Sequence, residues 1–137
     1  MKRIAMLCLL LALAAPALAG DEVYRGLGQK QGIAQLVETF VTLLQTDRRV
    51  GHSFDEADIP HLKEKLSEQF CVLAGGPCEY TGKTMATIHD GLDITTAQFY
   101  ALVEDLQIAM ERQDIAFRIQ NKLLAGLAPM QRDVVTR

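Results

Sequence analysis

Gly75-Gly76-Pro77-Cys78-Glu79-Tyr80-Thr81-Gly82, followed by Met85 and then Ile88-His89-Asp90-Gly91, decides how this chain is read. A glycine pair can take the left-handed turn that ends a helix, and the proline behind it stops the helix from continuing. Beyond that hinge one histidine, His89, closes a short apolar turn. Taken alone, such a histidine is more often a satisfied core residue than a ligand.

Working outward, the pattern is helical on both sides of the hinge. Upstream, Ile59, Leu62, Leu66, Phe70 and Leu73 recur in steps of three and four, and Asp58 and Pro60 stand where an N-cap and a first-turn proline belong. Further upstream, Ile33, Leu36, Val37, Phe40, Val41 and Leu44 form the stripe of an amphipathic helix from Gln31 to about Thr46. Downstream, Thr95-x-x-Gln98 is a capping-box pattern that opens a helix carrying Phe99, Leu102, Val103, Leu106 and Met110. A last helix, from about Asp114, presents Ile115, Ile119, Leu123, Leu124, Leu127 and Met130. The piece from Thr81 to Ile94 is the weakest helix, because Thr81, Gly82, Thr84, Thr87 and Gly91 all lower its propensity. No stretch sustains the alternation of a strand. The expectation is a compact all-α fold.

Met1-Lys2-Arg3, the apolar run Ile4 to Leu13 and the small-x-small Ala17-Leu18-Ala19 before Gly20 predict a secretory signal peptide over 1–19, too short to span a bilayer. A retained anchor is the alternative. Residues 20–137 then form one domain, and the protein is expected to be periplasmic or secreted, with no stable membrane insertion after cleavage. Cleavage removes two of the 14 basic residues, and 17 acidic ones remain in the chain. With no basic cluster left, nucleic acid is a poor partner.

The run from Phe70 to Ile94, with its Gly-Gly-Pro, Tyr-Thr-Gly, Met and His at these spacings, resembles the group I truncated haemoglobins. The resemblance extends from about Tyr24 to Val135. It implies a two-over-two helical sandwich around haem, with the proximal helix reduced to a loop and a turn. It also makes His89 the ligand of the iron. Haem is a flat apolar disc that needs aromatic and aliphatic walls, one nitrogen ligand and polar groups at the rim. Phe40, Phe54, Leu62, Leu66, Phe70, Met85, Ile88, Ile94 and Phe99 are candidate walls, although all nine read equally well as core. By the resemblance, Phe40 and Phe54 fall on the distal side, and Leu62, Leu66 and Phe70 on the helix above the iron.

The histidine competitors are weaker. His61 is rotated by about 100° from the Leu62-Leu66-Phe70 stripe, and His52 sits in a Gly-His-Ser segment that reads as solvated. No Cys-x-x-Cys-His occurs, so non-covalent haem b is the expected cofactor. The chain departs from the family in the distal pocket. Where many members have a tyrosine and a glutamine that donate to bound oxygen, this one has Val41 and Leu66. A strong donor is worth about 1.5–3 kcal/mol, so the pocket is expected to be largely apolar and to release oxygen quickly. Lys65 stands at the rim, either to pair with a propionate or to swing in as sixth ligand after losing its proton. Tyr80 is a second candidate for the propionate.

Cys71 and Cys78 flank the hinge. In an oxidising compartment they either form a bridge or remain two thiols, because sequence does not give their separation. The leading function is a haem globin that binds oxygen, nitric oxide or carbon monoxide and is re-reduced by an unidentified reductase. The alternatives are a haem electron-transfer protein, a nitric-oxide- or peroxide-detoxifying protein, and a haem-free helical interaction domain. No catalytic residue is assigned.

Overall fold

The computed structural model describes residues 20–137, so the expected signal peptide lies outside the described residues. Among these residues the regular structure is entirely helical, as the apolar periodicities require. The order is α1 (Glu22–Gly26), α2 (Gln29–Thr46), α3 (Ile59–Leu73), α4 (Met85–His89), α5 (Thr96–Arg112), α6 (Phe117–Leu127) and α7 (Gln131–Val134). Single 3-10 turns occupy Gly51–Phe54 and Ala128–Met130. Helix α2 packs against both α3 and α5, while α6 touches α3 and α5. These four helices make the two-over-two sandwich.

The stripe read on α2 is the centre of the core: Ile33, Leu36, Val37, Phe40, Val41 and Leu44 are all buried. Phe40 meets Phe70 of α3 with ring centroids 6.1 Å apart, a tilted aromatic pair. From α5 and α6, Leu106, Ala109, Met110, Ile119 and Leu123 close the same cluster.

Local signals set the helix ends. Asp58 caps α3 by accepting from the His61 backbone N–H at 3.1 Å. At the other end Gly75 sits at φ 75°. Its N–H bonds to the Val72 carbonyl, and the Gly76 N–H reaches back to Cys71, which is the Schellman closure of a helix. The capping box at Thr95 and Gln98 is complete, with both reciprocal bonds made.

Two elements differ from the sequence reading. Helix α1 was not legible, and it is tied down by the Tyr24 N–H on the Ala74 carbonyl and by Glu22 pairing with Arg118 and Lys122 of α6. Helix α6 starts at Phe117 rather than near Asp114, because Asp114 takes φ 55° and Ala116 is extended.

Cys71 and Cys78 are joined by a disulfide, with alpha carbons 6.1 Å apart. The bridge pins the segment after the hinge to the end of α3. Replacing both cysteines by serine is expected to lower stability by about 2 kcal/mol, chiefly because the unfolded chain regains its freedom. Urea unfolding of parent and variant checks this.

Candidate functional site: an apolar cleft with one imidazole

Helices α2, α3, α4 and α5 and the C-terminal segment surround a cleft holding about 900 Å³ of space free of protein atoms, including the part open to solvent. Each helix contributes the face that its periodicity predicts. Phe40 and Leu44 come from α2, Leu62, Leu66 and Phe70 from α3, and Phe99, Leu102, Val103 and Leu106 from α5. Phe54 enters from the 3-10 turn, and Met85, Ile88 and His89 come from α4. Leu127, Met130 and Val134 close the remaining side.

Helix α4 is short but well started. Thr84 caps it, its hydroxyl accepting from the Thr87 N–H at 3.2 Å. One turn on, His89 Nδ1 lies 2.8 Å from the Met85 carbonyl oxygen. A ring nitrogen satisfies a carbonyl only when it carries a proton, so that contact assigns the proton to Nδ1 and leaves the Nε2 lone pair free to bind a metal. In metal-binding histidines, a bond of this kind from the other ring nitrogen fixes both tautomer and ring orientation.

At the rim, Lys65 is held by carboxylates. Its Nζ lies 2.9 Å from Glu68 Oε1, 3.3 Å from Glu64 Oε1 and 2.6 Å from the Thr81 hydroxyl. The hydrogen bond to Glu68 raises the Lys65 pKa above the ordinary lysine value despite partial burial. Glu68 in turn is held below the usual carboxylate range, first by the Thr81 backbone N–H and then by Lys65. Burial pushes the Tyr80 phenol up, with the Glu68 charge adding to it. The Tyr80 hydroxyl donates to the Lys83 carbonyl at 2.7 Å.

Most of the residues expected at the site come together here: Phe40, Phe54, Leu62, Lys65, Leu66, Phe70, Tyr80, Met85, Ile88, His89 and Phe99. Val41 and Ile94 do not. Val41 is fully buried in the core, since the residue after Phe40 is turned about 100° around the helix. Ile94 lies beside Leu92, Asp93 and Thr95 in a separate depression, and its carbonyl accepts the Thr136 and Arg137 N–H groups. His61 and His52 are exposed and outside the cleft.

Gln69 was not expected. Its side-chain amide lies on the cleft wall, 3.4 Å from both the Met85 and Met130 sulfurs. A glutamine beside an apolar stripe reads in sequence as part of the solvated face, and only the approach of α4 and the C-terminal segment encloses it.

This set of residues fits haem. The walls are aliphatic and aromatic, a single imidazole nitrogen is directed by its own backbone bond, and a cation and a phenol stand at the mouth. Among the described residues no group of three or more His, Cys, Asp or Glu is placed to hold a bare metal ion, so the imidazole suits a cofactor that brings its other ligands with it. A helical sandwich built around such a cleft is the architecture of a haem-binding globin.

The chain belongs to the bacterial-like globin family, whose model matches residues 22–136. It is 25% identical over 113 residues to a group 1 truncated haemoglobin of Tetrahymena pyriformis, covering 82% of this chain and 93% of that protein. To a group 1 truncated haemoglobin of Mycolicibacterium paratuberculosis it is 26% identical over 114 residues, covering 83% and 84%. The crystal structure of the Tetrahymena pyriformis protein in its Fe(III) form shares the fold with a TM-score of 0.80 at 24% identity, over 84% of this chain and 98% of that one. The resemblance to group I truncated haemoglobins read from the hinge and His89 is therefore supported along nearly the whole described chain.

Proposed function

We propose that this protein holds haem b through His89 and takes a diatomic gas (oxygen, nitric oxide or carbon monoxide) as its ligand, in a cleft with a largely apolar inner wall. The observation that carries the proposal is the His89 ring, anchored by Nδ1 to the Met85 carbonyl, in a cleft to which α3 contributes the apolar Leu62, Leu66 and Phe70. Haem, when bound, supplies the iron that receives the gas. The chain's own residues do the rest. His89 would hold the iron, Phe40, Leu62, Leu66 and Phe99 would exclude water, and Lys65 and Tyr80 are the polar groups at the rim that could pair with the haem carboxylates.

Cys71 and Cys78 are bonded to each other. Neither is a free thiol for a covalent link to haem, which supports non-covalent haem b. A bridge of this kind also supports an exported protein, periplasmic or secreted, since such bonds persist in oxidising compartments. Detoxifying catalysis usually needs a distal acid–base group. Among the described residues Lys65 is the one cation lining the cleft, and Glu68 already holds it.

Titration with hemin should give a Soret band saturating at one haem per chain, and the absence of a band overturns the reading. The apolar distal side is checked at Leu66. In the Leu66→Gln variant, an amide now reaches into the pocket. The carbon monoxide stretch of the ferrous protein should move to lower frequency, and oxygen release should slow by up to about tenfold if the new bond contributes about 1.4 kcal/mol. An unchanged stretch and rate would show that Leu66 does not face the gas.

A further inference from the structure

Among the described residues, five groups on the cleft wall besides His89 carry an atom able to ligate iron: the amine of Lys65, the thioethers of Met85 and Met130, the phenol of Tyr80 and the amide of Gln69. Lys65 is the strongest donor of these once it loses its proton. It stands on α3, three residues beyond Leu62 and next to Leu66, and its side chain is only 17% exposed. What holds it is therefore decisive for whether a haem in this cleft keeps an open sixth position.

We propose that Glu68 is a positioning residue that withholds Lys65 from the iron, so that the haem site stays open to an external gas. This rests on the haem-binding reading above.

Both oxygens of Glu68 are committed. Oε1 takes the Lys65 ammonium at 2.9 Å and lies 3.0 Å from the Thr81 hydroxyl, while Oε2 takes the Thr81 backbone N–H at 2.9 Å. Thr81 Oγ1 is itself 2.6 Å from Lys65 Nζ, so the three side chains form a closed triangle. The triangle is braced at both ends. Glu68 precedes Cys71 by three residues on α3, and Cys78 precedes Thr81 by three on the following segment. The Cys71–Cys78 bond therefore ties together the two strands of chain that carry the tether. Glu64 is a lesser partner, at 3.3 Å and with its side chain 61% exposed. Glu68 is only 21% exposed, and a charge-assisted bond is worth more where water is partly excluded.

Three forms of the full mature chain test the assignment: the parent, Glu68→Gln and Glu68→Gln/Lys65→Leu, leucine having no atom that can ligate iron. Each is loaded with hemin, and optical and electron paramagnetic resonance spectra of the ferric form are recorded. The parent should be predominantly high-spin. Glu68→Gln, which keeps size but removes the charge, should gain a low-spin six-coordinate species. The double variant should return to high-spin, which a merely structural loss would not do. Thr81→Ala, which removes the hydroxyl corner alone, should show the low-spin species to a smaller extent.

A high-spin spectrum in Glu68→Gln, identical to the parent's, would overturn the tether. So would a low-spin parent converted by Lys65→Leu alone, since Lys65 would then already reach the iron past Glu68. Failure of the haem reading looks different: no Soret band forms in any of the proteins, the parent included, and the tether falls with it.

Discussion

Replacing His89 with alanine should strip the protein of haem while leaving its helices in place. The expectation follows from how few nitrogen ligands the cleft offers. His61 and His52 are exposed outside it, and Lys65 is engaged by Glu68 and Thr81. No other side chain on the α4 wall offers an imidazole. Disturbing only the outer bonds of a metal-bound histidine commonly weakens binding by about 10–100-fold, so removing the imidazole should weaken it further. Helix α4 does not depend on the ring, because its start is fixed by the Thr84 cap and its end by the turn at Gly91, where φ is 74°. Far-ultraviolet circular dichroism should therefore be unchanged. Haem transfer to an apo-globin acceptor should be at least about 100-fold faster than in the parent, and added imidazole should partly restore the Soret band by filling the vacated space. An unchanged Soret band and transfer rate would remove His89 from the iron.

What was legible in the sequence was local. The Asp58 cap, the stop at Gly75, the capping box at Thr95 and the α2 stripe are set by neighbours within a turn or two, and the structure has each of them. Apolar periodicity also told which face of α2, α3 and α5 is covered. It did not tell what covers it. Periodicity carries the last helix on to Met130, but α6 ends at Leu127, and Met130 and Val134 reach the cleft from the 3-10 turn containing Pro129 and from the short α7. Val41 and Phe40 are both buried, and only the helix's rotation in the assembled sandwich decides that Phe40 faces the cleft and Val41 the core. Helix α1, at five residues, is too short to show a 3.6-residue period. The Cys71–Cys78 bond could be neither asserted nor denied from spacing, because the Schellman turn at Gly75 sets the separation of the alpha carbons.

Asp105 carries the other large expected effect, on stability and its dependence on pH. It lies on α5, only 4% exposed, and its Oδ2 has no hydrogen-bond partner. Arg49, the cation that acts on it, is engaged elsewhere. Arg49 forks onto Asp47, with Nε 2.9 Å and Nη2 2.7 Å from Oδ2, and spends Nη1 on Glu104 at 2.6 Å. Asp47 is thereby held below its ordinary pKa, whereas burial, with the Asp47 charge adding to it, pushes Asp105 up to about 6. Between about pH 4 and pH 6 Asp47 is ionised while Asp105 keeps its proton. The folded chain binds that proton more tightly than the unfolded chain, whose aspartate titrates near 3.8. The contribution to stability is therefore fully present below about pH 4 and is lost as pH rises through 6, reaching at most about 3 kcal/mol. Asp105→Asn keeps a donor for Asp47 without the burden of ionisation. The variant should match the parent near pH 4 and exceed it at pH 7.5 by up to about 3 kcal/mol, or up to roughly 10 °C in Tm for a domain of this size. Melting curves of the two proteins at half-unit steps between pH 4 and 8 give the difference directly, and the other carboxylates cancel in it. A Tm offset that stays constant across that range would mean that Asp105 is already ionised throughout, its charge met by Arg49 after all.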